Sequence, residues 1–195
     1  MTNAQFQAFI DDGGYENEEW WKGIKEEKPR EPTWQEPNSP REMVSWYEAV
    51  AFCRWLSAHT EQTIRLPTEW EWQQAATGGN PDNEYLWGKE WDAARCNSVE
   101  SRLNRTTPVG IYLQGATLQG VLDMAGNVWE WCLNTSDNPQ CPQSVHLDDS
   151  NTQRVIRGGS WNFLIPELLR PSLRERGTTV TRLNFLGFRL AQDIP

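Results

Sequence analysis

The sequence has only two histidines, His59 and His146, and four cysteines, Cys53, Cys96, Cys132 and Cys141. The cysteines show no metal-type spacing. Two isolated histidines outside any motif do not make a metal site. Ser160 has no histidine partner in the sequence pattern, which leaves a hydrolase triad without support. Positive charge is scarce as well: 18 Lys and Arg stand against 27 Asp and Glu, a net charge of −9. That balance argues against a general nucleic-acid binder and against an anionic-membrane binder. No apolar run approaches the ~20 residues of a membrane helix, so no membrane insertion is expected. The N-terminus shows no basic stretch followed by an apolar core, and without a visible signal peptide the expected location is the cytoplasm. Cys132 and Cys141 flank a polar loop and could bridge in an oxidising compartment, whereas reduced thiols are expected in the cytosol.

What is present fits one soluble domain. A length of 195 residues matches one domain at a prior of ~150 residues each, and the mean hydropathy is −0.73. Three capping boxes mark helix starts: Thr2 with Gln5, Ser45 with Glu48, and Thr68 with Glu71. Behind them, Phe6, Phe9 and Ile10, then Val50, Phe52, Cys53 and Leu56, supply buried faces, and Gly13-Gly14 and Gly78-Gly79 supply stops. Cys53 is thus a core thiol, and His59 is expected to follow its helix and meet C-terminal carbonyls. Thr63–Leu66 reads as a short strand. The twelve tryptophans can staple long loops by burying large areas with the indole N–H satisfied locally, or can form a carbohydrate-stacking surface; stapling is the favoured reading.

The chain is organised around Arg154–Leu190. Its two ends, RVIRGGSW and NFLGFRL, read as strands, the second interrupted at Gly187, and the middle shows little periodicity. An ordered loop of this length inside a domain is usually functional. It carries Phe163, Leu164, Ile165, Leu168, Leu173, Leu183 and Phe185, which partly exposed would form an apolar patch of the kind that marks binding sites. Half the arginines also fall here. They either brace the loop on carboxylates and carbonyls, the favoured reading, or attract an anionic partner.

GNVWEW at 126–131, RGGSW at 157–161 and GFRL at 187–190, with TNAQF, VSWYEAVAFCRWLS and RLPTEWEWQQAATGG upstream, resemble the formylglycine-generating-enzyme (sulfatase-modifying factor) family. The resemblance covers nearly the whole chain and implies an α+β, C-type-lectin-like fold over residues 1–195. Family members usually carry further strands upstream of the MTNAQF start. The family's oxidase binds copper through two cysteines shortly after RGGS, and those positions here are Phe163 and Leu168, neither a thiolate ligand. Copper is therefore not expected; a second branch of the family binds non-heme iron through several histidines, and with only His59 and His146, both outside recognisable motifs, no iron and no enzyme are expected either. The resemblance also implies a possible structural calcium site, with side-chain oxygens from Asp123 and Glu130 and backbone carbonyls from Gly126 and Val128, a donor set that suits Ca²⁺. The alternative is that Asp123 caps a turn and Glu130 pairs with a buried arginine such as Arg157.

The loop further resembles a non-catalytic branch of this fold, the variable proteins of diversity-generating retroelements, in which Asn codons of a template are randomised at their adenines. On that frame Arg170, Ser172, Arg174, Arg176, Arg182 and the glycines of RGGSW and GFRL are scaffold. Phe163, Leu164, Leu168, Leu173, Gly177, Thr181, Leu183 and Phe185 are former Asn positions, with Ile165 less certain. Glu175 departs from the frame, since changing only the adenines of an Asn codon cannot give Glu. The implied function is binding of a macromolecular ligand, a protein, by Phe163, Leu164, Ile165, Leu168, Leu173, Leu183 and Phe185, with Glu175, Gly177 and Thr181 beside them. The alternatives are an undiversified interaction domain whose loop apolars pack into the core, and a family oxidoreductase.

Overall fold

The computed structural model describes residues 1–80, 82–137 and 152–193. Helix α1, Asn3–Asp11, starts where the Thr2 side chain accepts from the Gln5 amide and Gln5 reciprocates; Phe6 and Phe9 form its buried side. Helix α2, Trp46–Thr60, begins on the same device between Ser45 and Glu48. Strand β1 is only Ile64–Arg65. Helix α3, Glu69–Thr77, is boxed by Thr68 and Glu71, and Gly78 ends it at φ +62°, a conformation that costs glycine little. All three helix starts therefore lie where the capping chemistry puts them. His59 sits inside the last turn of α2 rather than after it. Its Nδ1 is 2.9 Å from the Trp55 carbonyl, and its Nε2 is 3.1 Å from Asp12.

The remaining strands are β2, Trp129–Thr135; β3, Gln153–Arg157; β4, Arg174–Thr178; β5, Leu186–Phe188; and β6, Ala191–Gln192. Strand β6 pairs with β1, and the other four form a sheet in the order β4-β3-β2-β5. Neighbours are antiparallel except β2 and β5, which run parallel with Trp129 opposite Leu186. The loop after Arg157 thus leaves and re-enters at one end of the sheet. Adjacent residues of a strand face opposite sides, and the core divides accordingly. Trp131 and Ile156 pack with Phe6, Phe9, Trp46, Phe52 and Phe188 beneath α1 and α2. Cys132 and Val155 pack with Trp72, Met124 and Leu169 beneath α3.

Two expectations need correction. The middle of the loop is not wholly irregular, because RERGT forms β4, an edge strand of the four-stranded sheet among the described residues. Its exposed positions carry charge, which protects an edge from further pairing and also removes the apolar alternation that would reveal a strand. Gly187 does not interrupt β5 but lies within it. A Cβ there would come within 2.5 Å of the Arg41 carbonyl, so the glycine permits close packing of two backbones. The tryptophans act mainly as staples: the indoles of Trp21, Trp46 and Trp131 donate to the carbonyls of Gly14, Cys132 and Val44. Cys141 and His146 lie outside the described residues. The other three thiols are free and buried, and burial pushes Cys96 up to about 12.

Candidate functional site: an arginine-braced loop

The loop is tied down from inside. Arg157, in the buried part of β3, donates to Glu69 at 2.9 Å, to Gln73 and to the Pro171 carbonyl. Arg174, opposite it on β4, donates to the same Glu69 carboxylate at 2.8 and 2.9 Å. Arg182 reaches Glu48 at 2.7 Å and Glu27 at 3.1 Å with its side chain only 8 % exposed. Glu48 is fully buried and also receives the Tyr15 hydroxyl at 2.5 Å. One carboxylate thus closes a helix cap and holds the loop. Arg170 meets Glu84 at 2.6 Å. These arginines brace the fold, as expected; at the buried pairs of Arg157 and Arg182, unlike the exposed Arg170–Glu84 pair, removing one partner leaves an uncompensated charge.

The apolar positions divide into two classes. Leu164 is 78 % exposed, Ile165 50 % and Leu183 36 %. Phe163, Leu173 and Phe185 are instead half-buried against the α1/α2 core, and the Phe163 ring stands edge-on to Trp129 at 5.4 Å. Leu168 and Thr181 are half-buried too, and the Thr181 hydroxyl lies 2.8 Å from that of Thr178. Sequence reasoning missed the residue that anchors this part of the loop. It is Leu169, which is buried beside Trp72 and so close to Gly159 that a Cβ there would stand 2.4 Å from it. The neighbouring RGGSW glycines were the only signal for it. Trp161 stands edge-on to Trp34 at 5.5 Å and donates to the Asn184 carbonyl at 3.5 Å.

Gly177 does not fit the reading of a freely variable contact. A Cβ there would fall 2.7 Å from Trp131 Cη2, and that ring is fully buried and fixed by its bond to the Val44 carbonyl. Glu175 is exposed on the same strand. Both lie on the sheet edge opposite β5, about 14 Å across from the strand that Leu183 and Phe185 lead into. The ten candidate contacts therefore do not form one cluster.

The 123–130 loop is held by an arginine that sequence reasoning did not choose. Glu130 accepts from the Trp72 indole at 2.7 Å and from Arg189, not Arg157, at 2.5 Å. The same Arg189 guanidinium donates to the carbonyls of Leu122 and Asp123. Asp123, at φ +55°, accepts from the Gly110 amide at 2.7 Å. Burial is the main influence on its carboxyl and holds it above the usual range. Gly126 and Val128 are both buried. A fixed cation already sits among these acceptors, and it would repel a second one at hydrogen-bond range. As arranged, Asp123, Gly126, Val128 and Glu130 do not fit calcium well.

An arginine-braced loop closing on a small mixed sheet with flanking helices is a C-type-lectin-like architecture. Residues 1–194 match the sulfatase-modifying factor enzyme 1-like domain, and the chain belongs to that family. It is 32% identical over 229 residues to the hercynine oxygenase of Mycolicibacterium thermoresistibile, an alignment that takes 100% of this chain and 49% of the relative. It is also 32% identical over 199 residues to the formylglycine-generating enzyme of Streptomyces coelicolor, covering 89% of this chain and 61% of that one. The chain thus spans about half the length of the first of these and under two thirds of the second. Among solved structures it is similar to Treponema denticola variable protein 1, with a TM-score of 0.75 and 22% identity over 97% of this chain and 81% of that one.

Proposed function

We propose that the chain is a non-enzymatic binding module of this family, whose ligand face is built on Leu164, Ile165 and Leu183, with Trp161, Phe163 and Phe185 half-exposed around them. The ligand is a protein surface, and the face has been diversified at its exposed positions by a retroelement. The observation that carries the reading is the separation within one loop between inward arginines and outward leucines. Arg157, Arg174 and Arg182 end on Glu69, Glu48 and Glu27, while Leu164 is left 78 % exposed. Average leucines are buried, and exposed apolar groups clustered on a rigid support mark interaction sites.

Two relatives are named as an oxygenase and a formylglycine-generating enzyme. Against the activity of the formylglycine-generating enzyme stand Phe163 and Leu168 at the positions where the resemblance calls for cysteines, since a hydrocarbon side chain cannot act as ligand or nucleophile; against the family's iron chemistry stands the presence of only two isolated histidines, His59 and His146. Two experiments separate the readings. Oxygen-consumption assays with bound-metal analysis test the enzyme; stoichiometric copper or iron with turnover would overturn the proposal. Sequencing the flanking DNA tests diversification. The expected result is a near-copy of the Arg154–Leu190 coding stretch, adenine-rich where this one is not, beside a reverse-transcriptase gene. Its absence from complete flanking sequence would leave an undiversified interaction domain.

A further inference from the structure

A cavity of about 270 Å³ opens between α3 and the edge strand β4, lined by Glu69, Trp70, Gln73, Arg157, Ser172 and Arg174. It belongs to neither the leucine face nor the 123–130 loop. Three features give it a chemical character. The first is Trp70, which at 58 % exposure is the only tryptophan in the exposed class. The other tryptophans pack or staple, whereas Trp70 lines the cavity with more than half of its surface open to solvent. The second is charge. Arg157 and Arg174 share the single Glu69 carboxylate, so two positive charges against one negative leave a net charge of one in the lining. The third is unused donors. Arg174 bonds through Nε and one terminal nitrogen. Its other terminal nitrogen, the Ser172 hydroxyl and the Gln73 amide nitrogen have no partner among the described residues.

Donors of this kind with a net positive charge recognise a carboxylate, for which the planar guanidinium is well matched. An exposed indole face adds a stacking surface for a flat ring. The volume lies just below the ~300–1,000 Å³ of small-molecule pockets, enough for one ring and its acid group. We infer that this cavity binds an aromatic carboxylate, either a free acid or the C-terminal aromatic residue of a peptide. Glu69 sets the charge by holding Arg157 and Arg174 in place, Arg174 and Ser172 take the acid group, and Trp70 takes the ring.

Ligand-observed NMR with benzoate, N-acetyl-phenylalanine and benzamide tests this on the intact chain. Both acids should bind with Kd on the order of 1 mM, as expected for so few heavy atoms, and neutral benzamide roughly tenfold more weakly. Tighter binding of benzoate points to a free acid, and tighter binding of N-acetyl-phenylalanine to a peptide C-terminus. Trp70→Ala, at an exposed position, should keep the fold and weaken both acids several-fold. Arg174→Gln should do the same, and if it unfolds, Ser172→Ala takes its place. Leu164→Ser should leave acid binding unchanged, so this site and the leucine face fail or stand separately. No binding at tens of millimolar, equal affinity for benzamide, or an unaffected Trp70→Ala variant would each overturn the inference.

Discussion

The two halves of the stretch between Arg157 and Leu186 are built on different principles. The first, from Trp161 to Arg170, forms no strand: it carries one short 3-10 turn, Pro166–Leu169, and is anchored by side chains, Phe163 on Trp129, Leu169 beside Trp72 and Trp161 on Trp34. The second starts as β4, fully paired to β3 from Arg174 to Thr178, and lies over Trp131 with no room to spare at Gly177. A loop hung from anchors can change the residues between them at little cost. A strand fixed by backbone pairing and a buried ring cannot change the residue beneath that ring. Variation should therefore be tolerated at Leu164 and Ile165, and at the exposed Leu183 past the end of β4, and refused at Gly177.

The largest effect should come from the carboxylate that ties Arg157 of β3 and Arg174 of β4 to α3. Glu69→Ala leaves Arg157 and Arg174 without their shared partner and should cost about 3–5 kcal/mol in a urea melt. A loss under ~1 kcal/mol, the range of surface pairs, would mean the arginines do not brace the loop. Next is Gly177→Leu, which forces a side chain into Trp131 and should cost about 1–3 kcal/mol, as overpacking does. If it costs nothing, the strand is as permissive as the hung segment and the contrast fails. Phe163→Ala, which removes a half-buried anchor, should fall below the ~3–5 kcal/mol of a fully buried Phe while exceeding the ~0.5 kcal/mol of a surface change.

Smaller effects sharpen the picture around the scaffold. With Arg189 already bound to Glu130 and to the Asp123 carbonyl, EDTA and millimolar-scale calcium should leave the melting temperature unchanged. A calcium-dependent rise that Asp123→Ala abolishes would restore the calcium reading, because a ligand of the folded state stabilises it by mass action. Hydrogen bonding from Arg65 lowers the Glu71 carboxyl from 4.5 to about 2. A carboxyl depressed on folding adds stability above its unfolded value and loses it as pH falls through the folded value. The gap in melting temperature between the unaltered chain and Glu71→Gln should thus be full above about pH 4.5 and close towards pH 2. A gap independent of pH would place the effect in packing.

Much of the scaffold was legible because it rests on local chemistry. Each capping box needs only side chains three residues apart, and all three formed. The bracing role of Arg157, Arg174 and Arg182 was legible as a role, but their partners were not. Glu69 and Glu48 come from helices up to 134 residues away in sequence, and only the folded topology brings them near. Strand β4 was hidden because an edge strand dressed in charge carries no apolar alternation. Phe163 and Leu164 look alike in sequence, yet one rests on Trp129 and the other points to solvent; that difference depends on where the chain turns after Ser160. The place of Arg189 beside Glu130 was likewise invisible, because a parallel pairing of β2 with β5 sets it.

If the loop keeps its shape through its arginines, its outward apolar residues take no part in holding the fold. A urea melt of the triple variant Leu164→Ser, Ile165→Ser, Leu183→Ser tests it most directly. The expected result is a cooperative transition within about 1 kcal/mol of the unaltered chain, the scale of surface substitutions. A loss of roughly 2–5 kcal/mol per residue, as truncated core leucines give, would contradict it and make these residues part of the core.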